Sequence, residues 1–206
     1  QILTGIGDLC LSFLNFTVIN QEDYMFGIQG LLFIQDYITI AEEKQFIKTI
    51  EKQVWDNSLK RRVQHYGYRY DYQARNVTED MYLGKLPKWL NELATKIFDD
   101  GLREVVPDQV IINEYKPGQG ISPHIDCESC FGPRIFSLSL GSTAIMEFTQ
   151  QGIPKKEILL LPRSLVMMYG GARYKWKHSI PARLKDNGVD RGVRLSLTFR
   201  NVLVGK

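Results

Sequence analysis

From residue 109 onward the chain breaks into short apolar-rich runs: "QVIINEY", "ISPHID", "RIFSLSL", "TAIMEF", "EILLLP", "SLVMMYG" and "VRLSLTFR". Turn signals such as "KPGQG" at 116–120 and "GS" at 141–142 separate them. Runs of this length, punctuated by Gly and Pro, read as strands of an antiparallel sandwich or barrel. The most regular, "RLSLTFR" at 194–200, alternates strictly. Leu195, Leu197 and Phe199 share one face, and Arg194, Ser196, Thr198 and Arg200 share the other, because strand side chains repeat every two residues.

Two helices precede the strands. Thr39-Ile40-Ala41-Glu42 has the form of a capping box, and Phe46, Ile47, Ile50 and Val54 follow at helical spacing. Pro87 sits at the expected first turn of the second helix. Trp89, Leu90, Leu93, Ala94 and Ile97 line one side of it, and Gly101 lies beyond its end. The expected class is α+β: a double-stranded β-helix, or jelly roll, with the N-terminal helices packed on one face. Residues 1–25 show no clean periodicity and read as an N-terminal arm, leaving 26–206 as a single domain.

Composition limits the setting. The 206 residues fit one domain of ordinary size, and 44% hydrophobic with 24% charged residues reads as soluble and globular. No apolar run approaches the roughly 20 residues that span a bilayer, so no membrane partner is expected. The start lacks both a signal-type basic region and an initiator Met; it reads as a fragment or processed end of a cytoplasmic protein. Three cysteines argue against a disulfide framework and for a reducing compartment. The net charge of +3 hides an asymmetry: residues 1–43 hold six acids and no Lys or Arg, so the remainder carries 26 bases against 17 acids. That excess suits either a polyanionic partner such as nucleic acid or a plain solubilising surface.

"SPHIDCES" at 122–129 places His124 and Asp126 two apart, so a strand aims both the same way. His178 lies 54 residues beyond His124, near a later strand, and a jelly roll brings such strands side by side. Two imidazoles and one carboxylate leave open positions on an iron, which oxygen chemistry requires. Taken alone, an H-x-D pair occurs by chance in many proteins and is better read as two polar side chains on the surface. Arg194 and Arg200 weigh against that reading. Two guanidiniums on the second face of a strand whose first face is buried suit an anionic ligand, and a dicarboxylate above all. The bland alternative is an edge strand with a solvated polar face.

With H-x-D at 124–126, the distal His178 and R-x-S-x-T-F-R at 194–200 in this order, the chain resembles the AlkB family of Fe(II)/2-oxoglutarate dioxygenases. "INEYKPGQGISPHID" also resembles the family's approach to its first two iron ligands, and the likeness runs from about residue 28 to the C-terminus. "RRVQHYGYRYDY", "PGQGISPHID", "SLSLGS" and "LPRSLVMMYGGARYKWKH" look most like the branch that hydroxylates a modified wobble uridine in tRNA. The resemblance implies that His124, Asp126 and His178 hold Fe(II). It implies that Arg194 pairs with the far carboxylate of 2-oxoglutarate and that Arg200 lies near the chelating end. Asn113, Tyr115 and Ser196 would complete the co-substrate pocket. O2 would be consumed as 2-oxoglutarate becomes succinate and CO2, with a substrate C–H bond oxidised. Oxidising an N-methyl group releases formaldehyde, whereas a carbon not bonded to nitrogen keeps a stable hydroxyl.

The stretch "RRVQHYGYRYDYQAR" at 61–75 bears on the substrate. Tyr66, Tyr68, Tyr70 and Tyr72 are spaced by two, and an extended strand would present four phenols on one face among Arg61, Arg62, Arg69 and Arg75. Rings stack on extruded or single-stranded bases while guanidiniums meet phosphates, so about 60–75 reads as a nucleotide-recognition lid, with Arg62, Tyr66 and Tyr68 as substrate contacts. Packing of the Tyr face on the first helix is the structural alternative. Glu128 would face the same side as Asp126 and touch the substrate, or stand as an exposed acid. His65 reads as a polar surface or substrate contact, Trp176 as packing behind His178, and "CESC" at 127–130 as two free thiols near the pocket.

The leading expectation is a monomeric AlkB-type dioxygenase acting on nucleic acid, RNA before DNA. Its rival is oxidative repair of 1-methyladenine and 3-methylcytosine, which stays open because the tRNA-modifying branch carries RNA-binding and methyltransferase domains not found in these 206 residues. Protein side-chain hydroxylation and a non-catalytic jelly-roll binding module complete the alternatives.

Overall fold

In the computed structural model, which describes residues 24–204, alternation along the strands sorts side chains into two separate cores. Of the expected arm, residues 1–23 lie outside the described residues; Tyr24–Met25 form strand β1. The chain continues through β2 (Ile28–Gln29), β3 (Leu31–Ile34), α1 (Ile40–Glu51), β4 (Val63–Tyr66) and α2 (Lys88–Asp99). Then come β5 (Gln109–Tyr115), β6 (Ile121–His124), β7 (Ile135–Gly141), β8 (Ala144–Gln150), β9 (Ile153–Leu160) and β10 (Leu165–Met168). A short helix α3 (Gly170–Tyr174), β11 (Lys177–Ile180), the hairpin β12 (Lys185–Asp186) and β13 (Val189–Asp190), and β14 (Arg194–Arg200) close the fold.

The strands form a six-stranded sheet in the order β3-β10-β7-β14-β5-β4 and a four-stranded sheet in the order β6-β11-β8-β9. Their pairings are antiparallel throughout. This is the jelly roll expected from the run of short strands, with both helices on one face of the larger sheet. β14 lies inside that sheet, paired to β7 on one side and β5 on the other, and all of its residues are buried. The edge-strand alternative for its arginines therefore falls. Leu195, Leu197 and Phe199 pack with Leu90, Leu93 and Ile97 of α2, while Val166 and Met168 of β10 face Met146 and Phe148 across the two sheets. No helix among the described residues is long and apolar enough to cross a membrane.

Local chemistry sets the helix bounds. The Thr39 hydroxyl accepts from the Glu42 amide at 3.2 Å and Glu42 accepts from the Thr39 amide at 2.7 Å, so the box satisfies donors that a helix start leaves open. Glu43 is buried and accepts from the Gly141 amide at 2.9 Å, which ties α1 to the end of β7. The helix stops at Glu51, and Val54, expected on its apolar face, is 92% exposed. Past the last turn the 3.6-residue period no longer decides which way a side chain faces. Pro87 caps α2 from one position outside it. β3, α3 and β11 had no equivalent among the expected elements; each is short and leans on partners distant in sequence.

Candidate metal and co-substrate site

β6 and β11 are neighbours in register, with His124 opposite His178. Their rings stand 4.4 Å apart between centroids, and ligand atoms of His124, Asp126 and His178 all lie within 4.8 Å of one another. The Ser122 carbonyl, 2.8 Å from His124 Nδ1, can only accept, so Nδ1 carries the hydrogen and Nε2 keeps its lone pair for a metal. Burial pushes His178 down to about 3, with the neighbouring His124 adding to the effect, and a neutral imidazole is the form a metal needs. His178 is half-buried and lines the cleft. Burial works to raise the Asp126 carboxyl, yet the Arg200 guanidinium beside it holds it well below the usual range. Arg200 donates to Asp126 from Nε at 3.2 Å and from Nη2 at 3.3 and 3.2 Å. A deprotonated carboxylate and two imidazoles are a donor set that suits Fe(II).

A cavity of about 570 Å³ joins this trio to the polar face of β14, a size suited to a small ligand. Arg194, Ser196, Thr198 and Arg200 all line it. Arg194 is 2% exposed and finds one hydroxyl, Ser139 Oγ at 2.8 Å, while its Nε is buried without a partner. Burial pushes its pKa down to about 10. A desolvated cation without a carboxylate is costly unless an anion completes it, so the cleft is built for one. Asn113 and Tyr115 also line the cavity, opposite Ser196 and Arg194 in the β5–β14 register. Ser196 meets Ser137 at 3.0 Å. All eight residues expected for iron and 2-oxoglutarate thus gather around one space.

The substrate set separates. β4 ends at Tyr66, and Gly67 at φ +77 turns the chain; an added Cβ there would lie 1.9 Å from the Asp108 carbonyl oxygen. The four phenols therefore do not share a face. Tyr66 packs edge-on to Trp89 of α2, and Tyr68 lies against Tyr82. Arg62 makes a two-point pair with Glu114 at 2.8 and 2.6 Å and covers Trp55. None of these three lines the main cavity, whereas Arg61, Tyr70, Tyr72 and Arg75 do. Glu128 lines a smaller adjoining cavity with Arg75. His65 is packed against Tyr72 with its Nε2 buried and unpartnered rather than set on the surface.

Arg173, on the unanticipated α3, donates to the carbonyls of Asp126 at 2.9 Å and Cys127 at 3.1 Å, which fixes the loop carrying the carboxylate ligand. Nothing in the sequence around it marks that role. Trp176 is 5% exposed, as packing behind the distal histidine requires. Cys127 and Cys130 are joined by a disulfide, which corrects the expectation of two free thiols. The turn after Asp126 brings their Cα atoms to 5.3 Å, within the span of a bridge.

Residues 30–200 match the 2OG-Fe(II) oxygenase superfamily. An Arabidopsis thaliana protein named "Alkylated DNA repair protein ALKBH8 homolog" is 38% identical over 87% of this chain and 60% of its own length. The Mus musculus "tRNA (carboxymethyluridine(34)-5-O)-methyltransferase ALKBH8" is 34% identical over 98% of this chain and 35% of its own length. The chain therefore spans between about one third and three fifths of these relatives. The solved structure titled "The structure of OsALKBH1" superposes with a TM-score of 0.65, covering 84% of this chain and 98% of that one at 16% identity.

Proposed function

The chain belongs to the AlkB-type 2OG-Fe(II) oxygenases, whose cofactor set is Fe(II), 2-oxoglutarate and O2, and from that premise we propose that it oxidises a modified base in RNA, a tRNA wobble uridine before others. We assign His124, Asp126 and His178 to Fe(II), and Arg194, Arg200, Asn113, Tyr115 and Ser196 to 2-oxoglutarate. Residues 26–206 then act as one monomeric, cytoplasmic catalytic domain with a lid at about 60–75. The observation that carries this reading is the buried Arg194, short of an anion, facing the same cavity as a His-Asp-His trio.

With Fe(II) and 2-oxoglutarate held there, O2 would be the oxidant: one of its oxygen atoms would enter succinate as 2-oxoglutarate loses CO2, and the other would enter the substrate. The protein's part is placement. Arg194 anchors the distal carboxylate at the floor, and Ser139 keeps its guanidinium in position. Arg200 and Arg173 hold Asp126 from its side chain and its backbone, so the metal meets a fixed ligand. Phe131, packed 4.8 Å under Arg200, helps exclude water. Tyr70, Tyr72, Arg61 and Arg75 line the same cavity, where an extruded base would meet them.

Charge separates the two nucleic-acid reactions. Among the described residues lining the cavity, Lys60, Arg61, Arg75, Arg194 and Arg200 are cationic and Asp126 is the one carboxylate. With Arg200 taken by Asp126 and Arg194 by the co-substrate, Lys60, Arg61 and Arg75 remain, and they favour an uncharged, oxygen-bearing uracil over 1-methyladenine and 3-methylcytosine, which carry positive charge at neutral pH. The name of the Arabidopsis relative keeps alkylation repair as the second reading. Incubation with Fe(II), 2-oxoglutarate and O2, followed by mass spectrometry of tRNA nucleosides and formaldehyde assay on methylated oligonucleotides, decides. One added oxygen on a modified uridine supports hydroxylation, and formaldehyde supports repair. Absence of succinate with every substrate returns the chain to a binding module.

A further inference from the structure

Arg61 lines the main cavity and pairs with no acid among the described residues. Its neighbour Arg62 is neutralised by Glu114, but Arg61 meets an amide: Nε donates to Asn113 Oδ1 at 2.8 Å. Its guanidinium carbon stands 5.8 Å from the ring centres of both Tyr72 and Tyr115. Tyr115 belongs to β5 and Tyr72 to the 61–75 segment, and both line the cavity.

A guanidinium has only donors. An asparagine amide facing it must present oxygen, so its NH2 turns away from Arg61. Asn113 is 8% exposed, lines the cavity and stands opposite Ser196, one alternation along from the Tyr115–Arg194 pair. With its oxygen engaged by Arg61, the amide has only its NH2 donors left to offer a ligand, and Arg194 lines the same cavity. Released from Arg61, the same amide could turn over and offer its oxygen to an anion. The contact also joins two elements, since a cation placed against one ring of β5 and one ring of the 61–75 segment makes their relative position depend on it.

We propose that Arg61 is a positioning residue for the co-substrate: it fixes the Asn113 amide with its NH2 toward bound 2-oxoglutarate and, through Tyr72, couples the order of the 61–75 segment to that ligand. The inference rests on the assignment of 2-oxoglutarate to this cavity.

N-Oxalylglycine, an unreactive analogue of 2-oxoglutarate, bound with Mn(II) in place of Fe(II), gives a calorimetric readout independent of turnover. Arg61→Ala should weaken its binding about tenfold, the scale of one hydrogen bond to a charged group. In an Asn113→Ala background the same change should alter binding less than about twofold, because an effect exerted through Asn113 vanishes with it. Arg61→Lys, also donor-only, should stay within about threefold of the parent and guards against a merely unfolded alanine variant. The analogue should slow trypsin cleavage after the exposed Arg69 and Arg75 in the parent but not in Arg61→Ala. Equal losses in both backgrounds, a lysine variant as weak as alanine, or undiminished trypsin protection in Arg61→Ala would overturn the proposal. A parent protein that fails to bind the analogue removes the co-substrate assignment itself, whereas a defect confined to the Arg61 variants leaves that assignment intact.

Discussion

Individual side chains here trade stability for readiness to bind. Arg194 is buried, pairs with no acid among the described residues, and leaves its Nε without a hydrogen-bond partner. Arg194→Met should raise the apo protein's stability by about 1–2 kcal/mol, since an apolar isostere replaces an uncompensated buried cation. The same variant should lose 2-oxoglutarate binding by about 100-fold or more; denaturant melts and calorimetry on one sample measure both. A lower melting midpoint would show that the guanidinium is already compensated. His65 offers a pH test of a different kind. Burial pushes its pKa down to about 4 from 6.5, so the unfolded chain binds its proton more readily than the fold does. Stability is therefore full above about pH 6.5 and declines as pH falls toward 4, by at most about 1.4 kcal/mol per pH unit. Urea melts at pH 7.0 and 5.0 should show that decline shrinking in His65→Phe; an unchanged pH dependence would place the titration elsewhere.

Elements were readable to the degree that their signals are local. The α1 capping box, the amphipathic α2 and the alternation of β14 each need a few adjacent residues, and all three stand in the structure. The tyrosine stretch misled because spacing by two predicts a shared face only while the chain stays extended, and Gly67 ends that condition after four strand residues. The loop after Asp126 is held by Arg173, which has no local signature, and by the Cys127–Cys130 bridge, whose spacing is visible in sequence while its bonding is not. Replacing both cysteines with serine should cost about 2 kcal/mol, the chain-entropy value for so short a loop, read from denaturant midpoints under non-reducing conditions. Arg173→Ala should lower Mn(II) affinity about 10- to 100-fold by freeing the carboxylate's backbone, while His178→Ala, which removes a ligand, should abolish it. Metal titration by calorimetry separates the two, and equal effects would mean that Arg173 supports more than that loop.

For the molecule as a whole, the decisive relations join residues far apart in sequence. The cavity's cationic lining comes from β14, from the segment before β4 and from the stretch near Arg75, so no window of sequence displays it. Raising salt from about 50 to 200 mM should weaken RNA binding markedly if these cations meet phosphates, and a salt-insensitive affinity would remove that contribution. The sequence by itself determined the class of fold, the metal-ligand candidates and the two arginines, because strand period and residue chemistry are properties of neighbours. Only the tertiary structure decided that His178 lies opposite His124, that β14 is enclosed on both sides, and that Arg61, Tyr70 and Tyr72 line the cleft instead of Arg62, Tyr66 and Tyr68. Strand register and the course of a turn are set by packing against distant partners, and that information is spread over the whole chain.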